Sequence, residues 1–190
     1  MNWKTIFNPF SKYSENQLLL VGILSLGITL ALCQWFELQV DSIFHYRYAD
    51  EKHSLIENIG LSLLSYSIAI IIFFILGKIY NKRARFIDIV NTVLISQIPG
   101  IFILLIGELP IITNSMESVR LVAEKNPENI SPFDLIVICI FSFSALLLIA
   151  YGMTLFYNGF KTATNLKNWK QIVIFAFLII VTTITCQFIF

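Results

Sequence analysis

Residue types able to do chemistry are few in this chain, and they gather in three places. The richest is the third of its apolar stretches, where Asp88, Asn91, Thr92, Ser96 and Pro99 recur at intervals of three and four. That spacing sets them along one face of a helix, with Gln97 and Gly100 beside the proline. Pro99 has no N–H to donate and crowds the carbonyl of Ile95, which predicts a kink or break near the middle of the stretch. A carbonyl freed in hydrocarbon needs a partner, and Ser96, Gln97 or a neighbouring helix can supply one. Such a face suits a polar track for a small solute or an ion. It equally suits a helix at the centre of a bundle, its polar side turned toward other helices. Asp88 sits at the end of the stretch near Arg83 and Arg85, and that neighbourhood accounts for it.

The second place is Ser62, Ser65 and Ala69, a small-residue face that permits close helix approach within one chain or between two copies. The third is an acidic loop in which Asp41 precedes His45 by four residues and Glu57 follows His53 by four. Imidazole and carboxylate at that spacing can share a divalent metal if the loop is helical, but two ligands per pair are too few, and a solvated loop explains the same residues. No metal or cofactor is expected. Cys33, Cys139 and Cys186 lie inside apolar stretches without metal or redox spacing. The chain shows no Ser-nucleophile motif, phosphate-binding Gly loop or paired intramembrane carboxylates, so catalysis is not expected and the protein is read as a non-enzyme.

The elements that must position these residues are five near-uncharged runs, about 18–36, 59–77, 89–107, 133–153 and 171–190. Each approaches the roughly 20 residues a helix needs to cross about 30 Å of hydrocarbon. At 190 residues, 57% hydrophobic and 13% charged, the chain holds more apolar surface than a soluble core of this size would bury. The expected fold is all-α: a polytopic membrane protein, a bundle of five transmembrane helices.

Charge gives the orientation. Nine of the thirteen Lys and Arg, including Lys4, Lys12, Lys78, Lys82, Arg83 and Arg85, fall before the first run or in the second and fourth gaps. Arg47, Lys52, Arg120 and Lys125 occupy the other side, together with ten of the twelve acidic residues. The positive-inside rule then predicts a cytoplasmic N-terminus and an outward C-terminus. A cleaved signal peptide is not expected, because the polar lead is long and Leu32-Cys33-Gln34-Trp35 offers no small-residue cleavage site.

Residues 1–17 read as a cytoplasmic interfacial segment, with Trp3, Phe7 and Phe10 at helical spacing until Pro9 interrupts, and 18–190 as the five-helix domain. In the first outer loop, Phe44, Tyr46 and Tyr48 alternate with polar neighbours, which predicts a segment lying against the bilayer surface. In the second, Ser115 is expected to cap a short helix to about Lys125, ended by Asn126-Pro127. Ser131-Pro132-Phe133-Asp134 reads as the start of the next helix. Five runs do not divide into two equal inverted halves, unlike the common secondary-transporter plans.

Three segments, "NPFSKYSENQLL" before the first run, "RARFIDIVNTVLISQIPG" entering the third, and "LFYNGFKTATNLKNWKQIVIF" joining the fourth to the fifth, resemble the Yip-domain family, the Ypt-interacting proteins, in its bacterial branch. The resemblance covers most of the chain and implies a five-span fold with a cytoplasmic N-terminus. Eukaryotic members are linked to small GTPases of vesicle traffic and to membrane shaping. Their Asp-Leu-Tyr-Gly-Pro signature is absent here, so the resemblance carries over no GTPase partner. Bacterial members have no established catalytic residues to transfer. What the resemblance implies is a non-enzymatic protein that organises membrane or binds a protein partner, either another copy of itself or another membrane protein, and not nucleic acid. The competing expectation is a small-solute or ion transporter or channel built on the polar face of the third run.

Overall fold

The computed structural model describes residues 3–49, 54–125 and 130–189, and it is 81% helical. Five helices are long and apolar enough to cross a membrane: Glu15–Trp35 (α2, after a short α1 at Trp3–Phe7), Leu55–Tyr80 (α3), the pair Phe86–Ser96 and Ile98–Gly107 (α4 and α5), Pro132–Thr164 (α7) and Trp169–Ile189 (α8). Helix α6, Pro110–Lys125, precedes α7. These five make the chain an integral membrane protein.

Local chemistry sets the helix ends. Ser14 and Ser54 each form a capping box, with Gln17 and Glu57 returning a side-chain bond to the cap, so α2 and α3 start three to four residues before their apolar runs. Helix α7 begins at Pro132 as its Ser-Pro-x-Asp sequence predicts, but it overruns the expected end at Met153 by eleven residues. Its extension is held by aromatic packing. Phe156 and Phe160 are fully buried against Phe73 of α3 and Phe175 of α8, with ring centroids 4.7 Å apart for Phe73–Phe156 and 4.6 Å for Phe160–Phe175. Each such pair adds about 0.5–1.5 kcal/mol beyond its burial. The helix stops at Asn165, whose φ of 54° is a left-handed conformation that Asn tolerates.

Ser115 does not cap a helix. It lies one turn inside α6, and its hydroxyl donates to Asp134 Oδ1 at 2.7 Å, tying α6 to the start of α7. The Asn126-Pro127 stop lies outside the described residues. Before α2, the N-terminal segment packs on α7: Tyr151 donates to the Ile6 carbonyl at 3.0 Å and Asn158 Nδ2 to that of Phe7 at 2.7 Å.

The expectation for the first outer loop is overturned. Leu38–Ser42 (β1) and His45–Tyr48 (β2) form an antiparallel hairpin, so the fold is not purely helical. Rather than lying on the bilayer surface, this hairpin descends into the bundle. Gln39 through Ile43 are all buried. Val40 N–H donates to Ser62 Oγ at 3.2 Å, Ser65 Oγ donates to the Asp41 carbonyl at 2.9 Å, and the Phe44 N–H at the tip reaches Gln97 Oε1 at 3.4 Å. Gln97 stands eleven residues from the start of α4 and ten from the end of α5. At 1.5 Å per residue that is about 15 Å from either end, which places the hairpin tip at the middle of the membrane-spanning layer. A strand pair survives at that depth because its ladder and the Ser and Gln side chains satisfy its backbone, and because protein surrounds it.

Candidate functional site at the hairpin tip

The third span breaks where Pro99 predicts. Gln97 separates α4 from α5: Pro99 has no N–H to continue the ladder, and the Gln97 N–H donates three residues back to the Leu94 carbonyl at 3.2 Å. Its side chain serves both sides of the break, donating through Nε2 to Ser96 Oγ at 3.1 Å and accepting from the Phe44 N–H. Ser96 in turn donates to the Val93 carbonyl at 2.7 Å, rather than to the carbonyl that Pro99 frees. Pro99 is buried beside them. Two glycines make room for the tip: a Cβ on Gly152 of α7 would lie 2.9 Å from both the Phe44 ring and the Ser96 carbonyl oxygen, and one on Gly100 would collide with the Tyr46 hydroxyl.

The other residues of the polar face belong to a different contact. Thr92 Oγ1 donates back to the Asp88 carbonyl at 2.7 Å, and Asn91 Nδ2 donates to the Glu15 carbonyl at 3.1 Å, pinning α4 to α2. Asp88 pairs with Arg85 rather than Arg83, through two bonds of 2.9 and 3.1 Å, and Arg85 also meets Glu15 at 2.8 Å. The Asp88 hydrogen bond and charge, and then the Glu15 charge, push the Arg85 guanidinium above its already high ordinary value. The six candidate residues of the third span therefore divide. Asp88, Asn91 and Thr92 hold the basic-face end of the bundle, whereas Ser96, Gln97 and Pro99 meet the hairpin.

The small face of α3 also meets the hairpin. Ser62 and Ser65 bond β1 directly, and Ala69 is buried one turn further along. What the small side chains admit is a strand, not a neighbouring helix.

Sequence reasoning picked out the Asp41 carboxylate but missed that the hairpin carries it into the membrane. Asp41 has a side-chain exposure of 3%, and both its oxygens lie within 2.8–3.0 Å of His45 Nδ1. His45 itself remains 46% exposed at the edge of the bundle. The stretch 38–48 is therefore not a solvated acidic segment, and its i, i+4 pair meets across a hairpin tip rather than along a helix. Two ligands fall short of the three or four a metal centre takes; of the second pair, His53 lies outside the described residues. Around the hairpin, Gln39, Ser42, Tyr46, Tyr66 and Thr182 carry buried polar atoms without a hydrogen-bond partner among the described residues. A carboxylate, an imidazole and several hydroxyls beside the hairpin can bind polar groups. The signal that could have found this site is the alternation of Phe44, Tyr46 and Tyr48 itself, which has the period of a strand.

The Yip1 domain model matches residues 3–189, so the chain belongs to the Yip1 domain family. Neither the curated proteins nor the solved structures provide a match.

Proposed function

We propose that this member of the Yip1 domain family is a non-enzymatic membrane protein that organises membrane or binds a protein partner, of the bacterial type, with its N-terminus in the cytoplasm and its C-terminus outside a cell inner membrane. One observation carries the reading against a carrier: the polar face of the third span is filled. Asn91, Thr92, Ser96 and Gln97 are 0–4% exposed, and the hairpin tip occupies the place where a track would run. The opposite charge of the two faces supports the orientation. A second copy or another membrane protein suits the partner role, whereas the absent Asp-Leu-Tyr-Gly-Pro signature removes the reason to invoke a small GTPase.

A second reading, a proton-linked carrier of a small solute, draws on the Asp41–His45 pair, since ionisable groups inside membranes mark transport pathways by default. Reconstitution separates the two. Proteoliposomes challenged with a panel of ions and small solutes should show no protein-dependent flux, and copurification in mild detergent should return a partner or a self-complex. Flux that Asp41→Asn and Gln97→Leu abolish in folded protein would establish the carrier and overturn the organiser.

A further inference from the structure

At the basic face, two cavities adjoin. A polar one of about 240 Å³ is lined by Glu15, Arg85, Asp88, Asn91 and Thr162, and an apolar one of about 440 Å³ by Leu20, Val21, Ile95, Ile98 and Leu155. Tyr13 and Leu18 line both, so the two meet at a shared wall. Their order follows depth. Asp88 is in the first turn of α4 and Ile98 begins α5, ten residues on, which is about 15 Å and half the hydrocarbon thickness. A polar chamber at the helix ends that leads into an apolar channel one leaflet deep has the shape of a single lipid: headgroup outside, chain inward.

The polar chamber also specifies the headgroup. Two carboxylates, Glu15 and Asp88, face one guanidinium, Arg85, leaving a net charge of −1. Asn91 is 2% exposed, its amide nitrogen is committed to the Glu15 carbonyl, and its Oδ1 has no partner among the described residues. Surplus negative charge and an orphaned acceptor call for a cation that donates N–H bonds. We propose that this chamber and channel bind one phospholipid carrying a primary ammonium, of the phosphoethanolamine class. A trimethylated ammonium has the charge but no N–H, and an anionic phosphoglycerol head meets carboxylates. The site stands independently of the organiser and carrier readings.

The test is native mass spectrometry of the full chain in mild detergent, with dioleoyl phosphatidylethanolamine, phosphatidylcholine and phosphatidylglycerol added in turn. A charged hydrogen bond contributes about 1.5–3 kcal/mol, so the ethanolamine lipid should bind about tenfold or more tighter than the other two. Glu15→Gln with Asp88→Asn should erase that preference, bringing the ethanolamine lipid down to the level of the choline lipid; both side chains are partly exposed, and if the double variant fails to stay monodisperse, Glu15→Gln alone should reduce the preference. Leu20→Trp, at a channel-lining position that is 63% exposed, should weaken all three lipids alike. Equal binding of the three lipids, tightest binding of the anionic one, an unchanged preference in the folded headgroup variants, or a second copy of the chain in place of lipid would overturn the assignment.

Discussion

Gly152→Val is the sharpest perturbation of the buried hairpin. The first added carbon meets the Phe44 ring and the Ser96 carbonyl oxygen at 2.9 Å. The ring can rotate away, but the carbonyl is backbone in a packed helix and cannot. Overpacking of this kind costs about 1–3 kcal/mol. Pushing the tip off α4 also breaks the Phe44–Gln97 bond, a further 0.5–1.5 kcal/mol or so. A total of about 2–4 kcal/mol should speed hydrogen exchange of amides 38–48 by roughly 30- to 1,000-fold, since each 1.4 kcal/mol is a factor of ten. Exchange mass spectrometry in detergent reads this peptide directly. Gly27→Val is the control, because nothing lies within 4 Å of its added carbon. Unchanged protection of 38–48 in Gly152→Val, or equal loss in the Gly27 variant, would refute the docking geometry.

Four further outcomes follow from the same contacts. Ser65→Ala, which removes the donor to the Asp41 carbonyl, should lower thermal stability by about 1 kcal/mol, and with Ser62→Ala the loss should fall on hairpin protection before global melting. Asp41→Ala should cost about 1–3 kcal/mol and Asp41→Asn clearly less, because the amide still hydrogen-bonds His45; a melting series in one detergent checks this. Arg85→Ala should leave the melting temperature in detergent nearly unchanged, and high salt should shrink even that small shift, because Arg85 is exposed and Glu15 partly so. A reporter fused after Phe190 should be active only outside the cytoplasm, and activity of a cytoplasm-only reporter there would reverse the proposed orientation.

The five spans and the Pro99 break are legible in the sequence because they rest on local physics: run length against bilayer thickness, and a missing N–H. The hairpin is not, because its depth is set by distant partners. Asp41, His45 and Arg47 make the segment too polar for any hydropathy reading to place inside a membrane. Its own ladder and the side chains of Ser62, Ser65 and Gln97, 22 to 53 residues away along the chain, make that burial tolerable. The small face of α3 and the polar face of the third span were both visible, but each is equally consistent with an opposing helix. A face reports that something packs there, and not what. The overrun of α7 has the same cause, since Tyr157 to Thr164 look like a polar gap until Phe160 is seen stacked on Phe175.

Placing a photoreactive benzoyl-phenylalanine at Phe44 in native membrane vesicles changes the least and asks the most. Irradiation should yield internal adducts on the α7 peptide around Gly152 and on the α4–α5 junction around Ser96 and Gln97, the surfaces the ring and its backbone touch. Adducts confined to lipid, or a probe quenched by water with no internal adduct, would mean that the hairpin lies on the membrane surface rather than at its middle.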